Sequence, residues 1–126
     1  MAQLKDDQPI FLQIAELIET NILEQSLQVG ERVPSTNEIA KYYQINPATA
    51  AKGVNLLVDE GILFKKRGVG MFVSENARDI ILEKKRNQFK EQYVIPIIEE
   101  AKRIEIDFDQ LVNLLKEGIN NENRNK

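Results

Sequence analysis

The stretch Pro34–Gly61, PSTNEIAKYYQINPATAAKGVNLLVDEG, constrains this chain most, because it carries the punctuation of two short helices and a tight turn. Ser35 followed three residues later by Glu38 is a capping-box pattern, in which hydroxyl and carboxylate satisfy each other's backbone N–H groups. Asn46-Pro47 starts the second helix. Asn accepts a hydrogen bond from a first-turn amide, and proline fits the first helical position because its missing N–H is not needed there. Gly61 ends that helix with a residue that tolerates positive φ. Ile39, Ala40 and Tyr43 form the buried side of the first helix, and Ile45 plugs the turn. Ala50, Val54, Leu57 and Val58 face the core from the second, leaving Ala48, Thr49, Ala51, Lys52 and Asn55 outward. Gly53 weakens a helix, so close approach of a neighbouring helix is the expected reason for it. Two helices on so short a turn form a helix-turn-helix, with the second helix the candidate for a DNA major groove.

The flanks extend this unit. Phe11, Ile14, Ala15, Leu17, Ile18 and Ile22 recur at helical spacing from Pro9 to about Gln25, with Gln13, Glu16, Glu19 and Thr20 expected on the opposite, polar side. Residues 1–8 are polar and expected to fray. After Gly61 the period changes to that of strands in residues 62–66 and 70–74, around the turn Arg67-Gly68-Val69-Gly70. A hairpin behind a helix-turn-helix makes a winged helix, and Lys65, Lys66 and Arg67 put its densest positive charge at the wing tip. Beyond a polar hinge at residues 74–76 the pattern is helical. One helix is expected from Ala77 to about Tyr93, with Pro96 breaking or kinking the helical path and a last short helix starting near Asp107. The final NNENRNK is expected to be disordered.

The fold class is therefore mostly α with a small β-hairpin: a winged helix-turn-helix over residues 1–75, then a helical segment over 76–126. So short a helical tail encloses little core alone. Its apolar residues Ile81, Phe89, Tyr93, Val94, Ile97, Ile98, Ala101, Ile104, Leu111, Leu114 and Leu115 call for a partner surface, most simply the same segment of a second chain in a homodimer.

Composition excludes more than it proposes. With no histidine and no cysteine the chain lacks the usual general base, thiol nucleophiles and nearly every zinc ligand set. The adjacent carboxylates Asp6-Asp7, Asp59-Glu60 and Glu99-Glu100 diverge by about 100° on a helix and make no acid/base or metal pair. No catalytic residue, metal or cofactor is expected, and no run of apolar residues is long enough for a membrane span. The N-terminus lacks a secretory pattern, so the expected compartment is the cytoplasm. Net charge is −3, with seven basic against ten acidic residues through Glu75, so only the local placement of cations argues for nucleic acid.

Several motifs, in order and at matching separations over about residues 8–74, resemble the N-terminal domain of GntR-type bacterial transcription regulators. They are Pro9-Ile10-Phe11-Leu12-Gln13-Ile14, Gly30-Glu31-Arg32-Val33-Pro34-Ser35, Glu38-Ile39-Ala40, Asn46-Pro47-Ala48-Thr49, Gly61-Ile62-Leu63 and Arg67-Gly68-Val69-Gly70-Met71-Phe72-Val73. Asn-Pro-x-Thr with so short a tail resembles the YtrA subfamily, whose reduced C-terminal domain is thought to serve dimerisation. The resemblance implies a dimeric repressor on a palindromic operator. It implies phosphate or base contact for Thr49, minor-groove approach for Gly68, and Lys52 in place of a frequent arginine. Asn37 and Pro47 also stand where the wider family often has arginines; Pro47 fits the YtrA-like pattern, whereas Asn37 weakens the case for a guanine contact at its position.

The candidate DNA interface is therefore Ser35, Thr36, Asn37, Asn46, Pro47, Ala48, Thr49, Lys52, Asn55, Lys65, Lys66, Arg67, Gly68 and Gly70. The competing reading is a winged-helix protein-interaction module without sequence-specific DNA binding, which the acidic balance and Asn37 favour. A small-molecule effector would lodge near Tyr93 and Arg103, but no residue pattern marks a site for it.

Overall fold

A computed structural model describes residues 4–124 and divides the chain into two compact units, one ending at Lys84 and one beginning at Lys85. In the first, α1 (Ile10–Leu23), α2 (Thr36–Tyr43) and α3 (Pro47–Asp59) precede the antiparallel strands β1 (Leu63–Lys66) and β2 (Gly70–Val73) and the first turns of α4 (Ala77–Phe89). The capping box at Ser35 forms in both directions: Ser35 Oγ accepts from the Glu38 N–H at 3.1 Å, and Glu38 Oε1 from the Ser35 N–H at 3.2 Å. Asn46 Oδ1 accepts from the Ala48 N–H at 2.8 Å, with Pro47 at the first helical position. Between the helices Gln44 takes the left-handed conformation, at φ +56°, and half-buried Ile45 packs on the core.

That core joins Ile14 and Ile18 of α1, Ile39 of α2, Val54 and Leu57 of α3, Ile62, Leu63, Val73, and Ala77 and Ile81 of α4. The first unit runs past the boundary expected at residue 75 because Ala77 and Ile81 are wholly buried in this core. Gly53 marks the close approach of α1 to α3: a β-carbon there would lie 2.6 Å from the Phe11 carbonyl oxygen.

Two residues assigned to the polar side of α1 are buried. Gln13 is enclosed because its amide answers backbone groups of the preceding segment, accepting from the Lys5 N–H and donating to the carbonyls of Lys5 and Gln8. Residues 4–8 are therefore tied down rather than frayed, and Leu4 packs on the core; residues 1–3 lie outside the described range. Glu19, 1% exposed, receives the Lys84 ammonium at 2.9 Å, and the same ammonium donates to Glu60 at 2.8 Å. Burial, the largest single influence, disfavours the charged lysine. Hydrogen bonds and charge from Glu60 and Glu19 together outweigh it, so the Lys84 pKa lies above the ordinary lysine value.

The hairpin has a third member. Gly30 N–H donates to the Val73 carbonyl and Val73 N–H to the Glu31 carbonyl, while Val33 N–H donates to the Met71 carbonyl, which places Arg32 opposite Phe72. Residues 30–33 thus flank β2 on the side away from β1.

The second unit holds the end of α4, a π-helical turn (Lys90–Val94), α5 (Ile95–Arg103) and α6 (Phe108–Arg124). At Pro96 the chain stays helical, with Val94 and Ile95 keeping helical φ and ψ, while the α-helical ladder of α4 gives way to the π-helical turn just upstream. A proline clashes with the carbonyl four residues back, and the wider turn immediately upstream relieves that conflict. A reciprocal cap opens α6. Asp107 Oδ1 accepts from the Gln110 N–H, and Gln110 Oε1 from the Asp107 N–H, both at 2.9 Å. The helix is seventeen residues rather than short, and it carries the expected disordered tail as far as Arg124. Once nucleated, each added residue closes another backbone bond.

Candidate nucleic-acid interface

On α3 the core takes Ala50, Gly53, Val54 and Leu57, so Ala48, Lys52 and Asn55, at spacings of four and three, share the outward face. Thr49 and Ala51 are half-buried at its border, and Pro47 is exposed. Asn46 is exposed, but its side-chain oxygen is committed to the cap, leaving only its amide N–H groups to point elsewhere. Lys52 is exposed while its ammonium sits 4.0 Å over the Phe11 ring, which restricts where the cation can reach. Ser35 and Thr36 are half-exposed and Asn37 exposed at the start of α2, with the Ser35 hydroxyl occupied by the Glu38 amide.

The wing presents Lys65, Lys66, Arg67 and Gly68, all exposed. Gly68 has φ +76° and open space where a β-carbon would stand, so its conformation, not crowding, favours glycine. Lys66 is held at 4.5 Å over Phe72, whose ring stacks with Phe64 at 5.8 Å. Gly70 is half-buried: a β-carbon there would lie 2.9 Å from Arg32 Nε. Arg32 was not among the residues expected at the interface. The three residues between Gly30 and Pro34 are too few to show a period, and Arg32 pairs with Phe72 only through an isolated bridge. At the other end of this region, hydrogen bonds from the Ser35 backbone and hydroxyl, with a smaller effect from the Arg32 charge, hold the Glu38 carboxyl below the usual carboxylate range.

The residues expected at a partner surface divide. Ile81 is wholly buried in the first unit's core and is unavailable to a second chain. Ala101 is buried too, and Val94 and Leu111 are half-buried. Phe89, Tyr93, Ile97, Ile98, Ile104, Leu114 and Leu115 are exposed, with Phe89 and Tyr93 in ring contact at 5.5 Å. Exposed Phe108 and Ile119 join them, and Phe108, Leu111, Val112, Leu115 and Ile119 form one stripe along α6. Among the described residues no cluster of acidic side chains could hold a metal ion, and no helix is long and apolar enough to cross a membrane.

The family described as bacterial regulatory proteins, gntR family, matches residues 11–73, the span from α1 through β2. The chain belongs to the GntR family. It is a DNA-binding transcription regulator with a winged helix-turn-helix, and not an enzyme. It is 33% identical over 109 residues to the HTH-type transcriptional repressor YtrA of Bacillus subtilis, a match covering 86% of this chain and 83% of that protein. Similarity to this repressor thus extends beyond the winged helix into the tail. A crystal structure of a GntR-family regulator from Bacteroides thetaiotaomicron superposes with a TM-score of 0.77 at 26% identity, covering 90% of this chain and 98% of that one. The DNA-binding domain of AraR, solved in complex with its operator ORX1, superposes with a TM-score of 0.52 at 25% identity, over 59% of this chain and 90% of that one.

Proposed function

We propose that this GntR regulator is a repressor that works in the cytoplasm as a homodimer, setting one α3 into the major groove of each half of a palindromic operator. The observation that carries the reading is the division of labour on α3. Its inner face is locked into the core, while Ala48, Lys52 and Asn55 stand outward beside Thr49 at a firmly capped N-terminus. The wing cations Lys65 and Arg67 and the backbone at Gly68 supply phosphate contacts, which position the protein without reading sequence. Similarity to the repressor YtrA, and to AraR on its operator, supports repression and operator binding. The dimer rests on the exposed apolar residues of the second unit, whose stripe on α6 a second copy would cover.

With the chain at −3, attraction to DNA in general is weak, so the dimer neutralises only about four to six phosphates and its salt slope is shallow. The test is fluorescence anisotropy on a duplex selected from a random library with the full chain. The triple variant Thr49→Ala, Lys52→Ala, Arg67→Ala should keep its thermal unfolding midpoint and lose binding. Retained binding by that variant would contradict the assignment of α3 and the wing.

A further inference from the structure

We infer that Arg32 is a further DNA-contacting residue, which exchanges its exposed ion pair with Glu38 for a backbone phosphate when the wing docks. The inference rests on the DNA-binding reading above. Arg32 stands opposite Phe72 through an isolated bridge from the segment flanking β2, and Phe72 stands opposite Phe64 on β1. Residues directly opposite in a sheet share a face, so the three side chains lie across one face of the wing, on which Lys66 also rests over Phe72. The opposite face carries the buried Val33, Val73 and Leu63 into the core.

The two cations of that outer face are held differently. Lys66 is drawn onto an aromatic ring. Arg32 lies along the backbone at Gly70, where a β-carbon would come within 2.9 Å of Nε and 3.5 Å of Cδ. That contact positions the stem and leaves the guanidinium end to Glu38. There the separation is 3.7 Å, beyond hydrogen-bond range, and the two side chains are 53% and 62% exposed. Such a pair holds weakly. A phosphate offers the guanidinium fork two oxygens in matching geometry, a better partner than a carboxylate at that distance. Glu38 therefore acts as the competitor. It keeps Arg32 oriented in the free protein and must yield it on binding.

The experiment is an anisotropy titration of the full chain on the selected duplex across a series of sodium chloride concentrations, with thermal unfolding of every variant. Arg32→Ala should make the salt dependence shallower by about two for a dimer, one phosphate from each half-site. Arg32→Lys should keep most of the slope while losing affinity. Glu38→Gln, which can still accept the Ser35 N–H, should bind about two- to fivefold tighter for each chain, and the gain should vanish in the double variant with Arg32→Ala. If Arg32→Ala fails to fold, Arg32→Gln keeps the stem on Gly70 and is read by the same slope. An unchanged slope in the alanine or glutamine variant, or weaker binding by Glu38→Gln, overturns the inference and leaves Arg32 as a strut between wing and α2. Failure of the unaltered chain to bind any selected duplex would overturn the functional reading and this inference together.

Discussion

The two units differ in what they hide. The unit ending at Lys84 closes a core from four helices and a hairpin, and it goes as far as enclosing Gln13 and Glu19 with partners for both. In the unit beginning at Lys85, Ala101 is the sole buried residue among those described, while Phe108, at 77% exposure, and Ile119 face outward. One half satisfies even its buried charges, and the other leaves large apolar side chains open. In the proposed homodimer a second copy would remove that exposed apolar area from water.

The comparison breaks most sharply if the units are separated. Residues 4–84 alone should unfold in one cooperative transition and sediment as a monomer. Residues 85–124 alone should show little fixed structure at micromolar concentration and gain helix as concentration rises. Circular dichroism and analytical ultracentrifugation read both, and a cooperative monomeric tail would refute the contrast. Within the first unit, Lys84→Met leaves Glu19 buried without its ammonium and should cost about 3 to 5 kcal/mol in urea unfolding. The sign of the pH effect comes from the raised Lys84 pKa. The pair's contribution is complete below the ordinary lysine pKa and is lost as pH rises through the higher folded value, so the wild-type advantage over Lys84→Met should shrink only at strongly alkaline pH.

Gly53→Ala forces a β-carbon toward the Phe11 carbonyl and should cost about 1 to 3 kcal/mol as α1 and α3 move apart, visible as a lower melting temperature. The smallest effect is expected from Ser35→Ala. Removing one hydroxyl from the capping box should cost about 1 kcal/mol, leaving oligomeric state untouched.

Much of this molecule was legible where the signal is local. The caps at Ser35 and Asn46, the glycine at position 61 and the wing turn are each written in a few adjacent residues, and all form as expected. Gly53 was legible as well, because a glycine inside a helix needs a reason. What escaped depends on residues far apart in the chain. The Glu19–Lys84 pair spans 65 positions, so nothing near Glu19 says it is buried. Ile81 looks like the other apolar residues of the tail until α4 packs on the first core. Pro96 reads as a breaker because the π-helical turn that accommodates it has no short sequence signature. At the interface the outward residues of α3 follow from helical period, whereas the ring contacts of Lys52 and Lys66 and the seat of Arg32 on Gly70 needed the assembled fold.

The central claim is that a pair of these chains reads a specific DNA sequence. The most direct measurement is operator selection from a random duplex library, followed by anisotropy and sedimentation of the full chain on the selected duplex and on a scrambled duplex of equal composition. The account predicts an inverted repeat with half-sites about ten base pairs apart, two chains per duplex, and binding at least about a thousandfold tighter than to the scrambled control. Equal affinity for the two duplexes, or one chain bound per selected duplex, would contradict it.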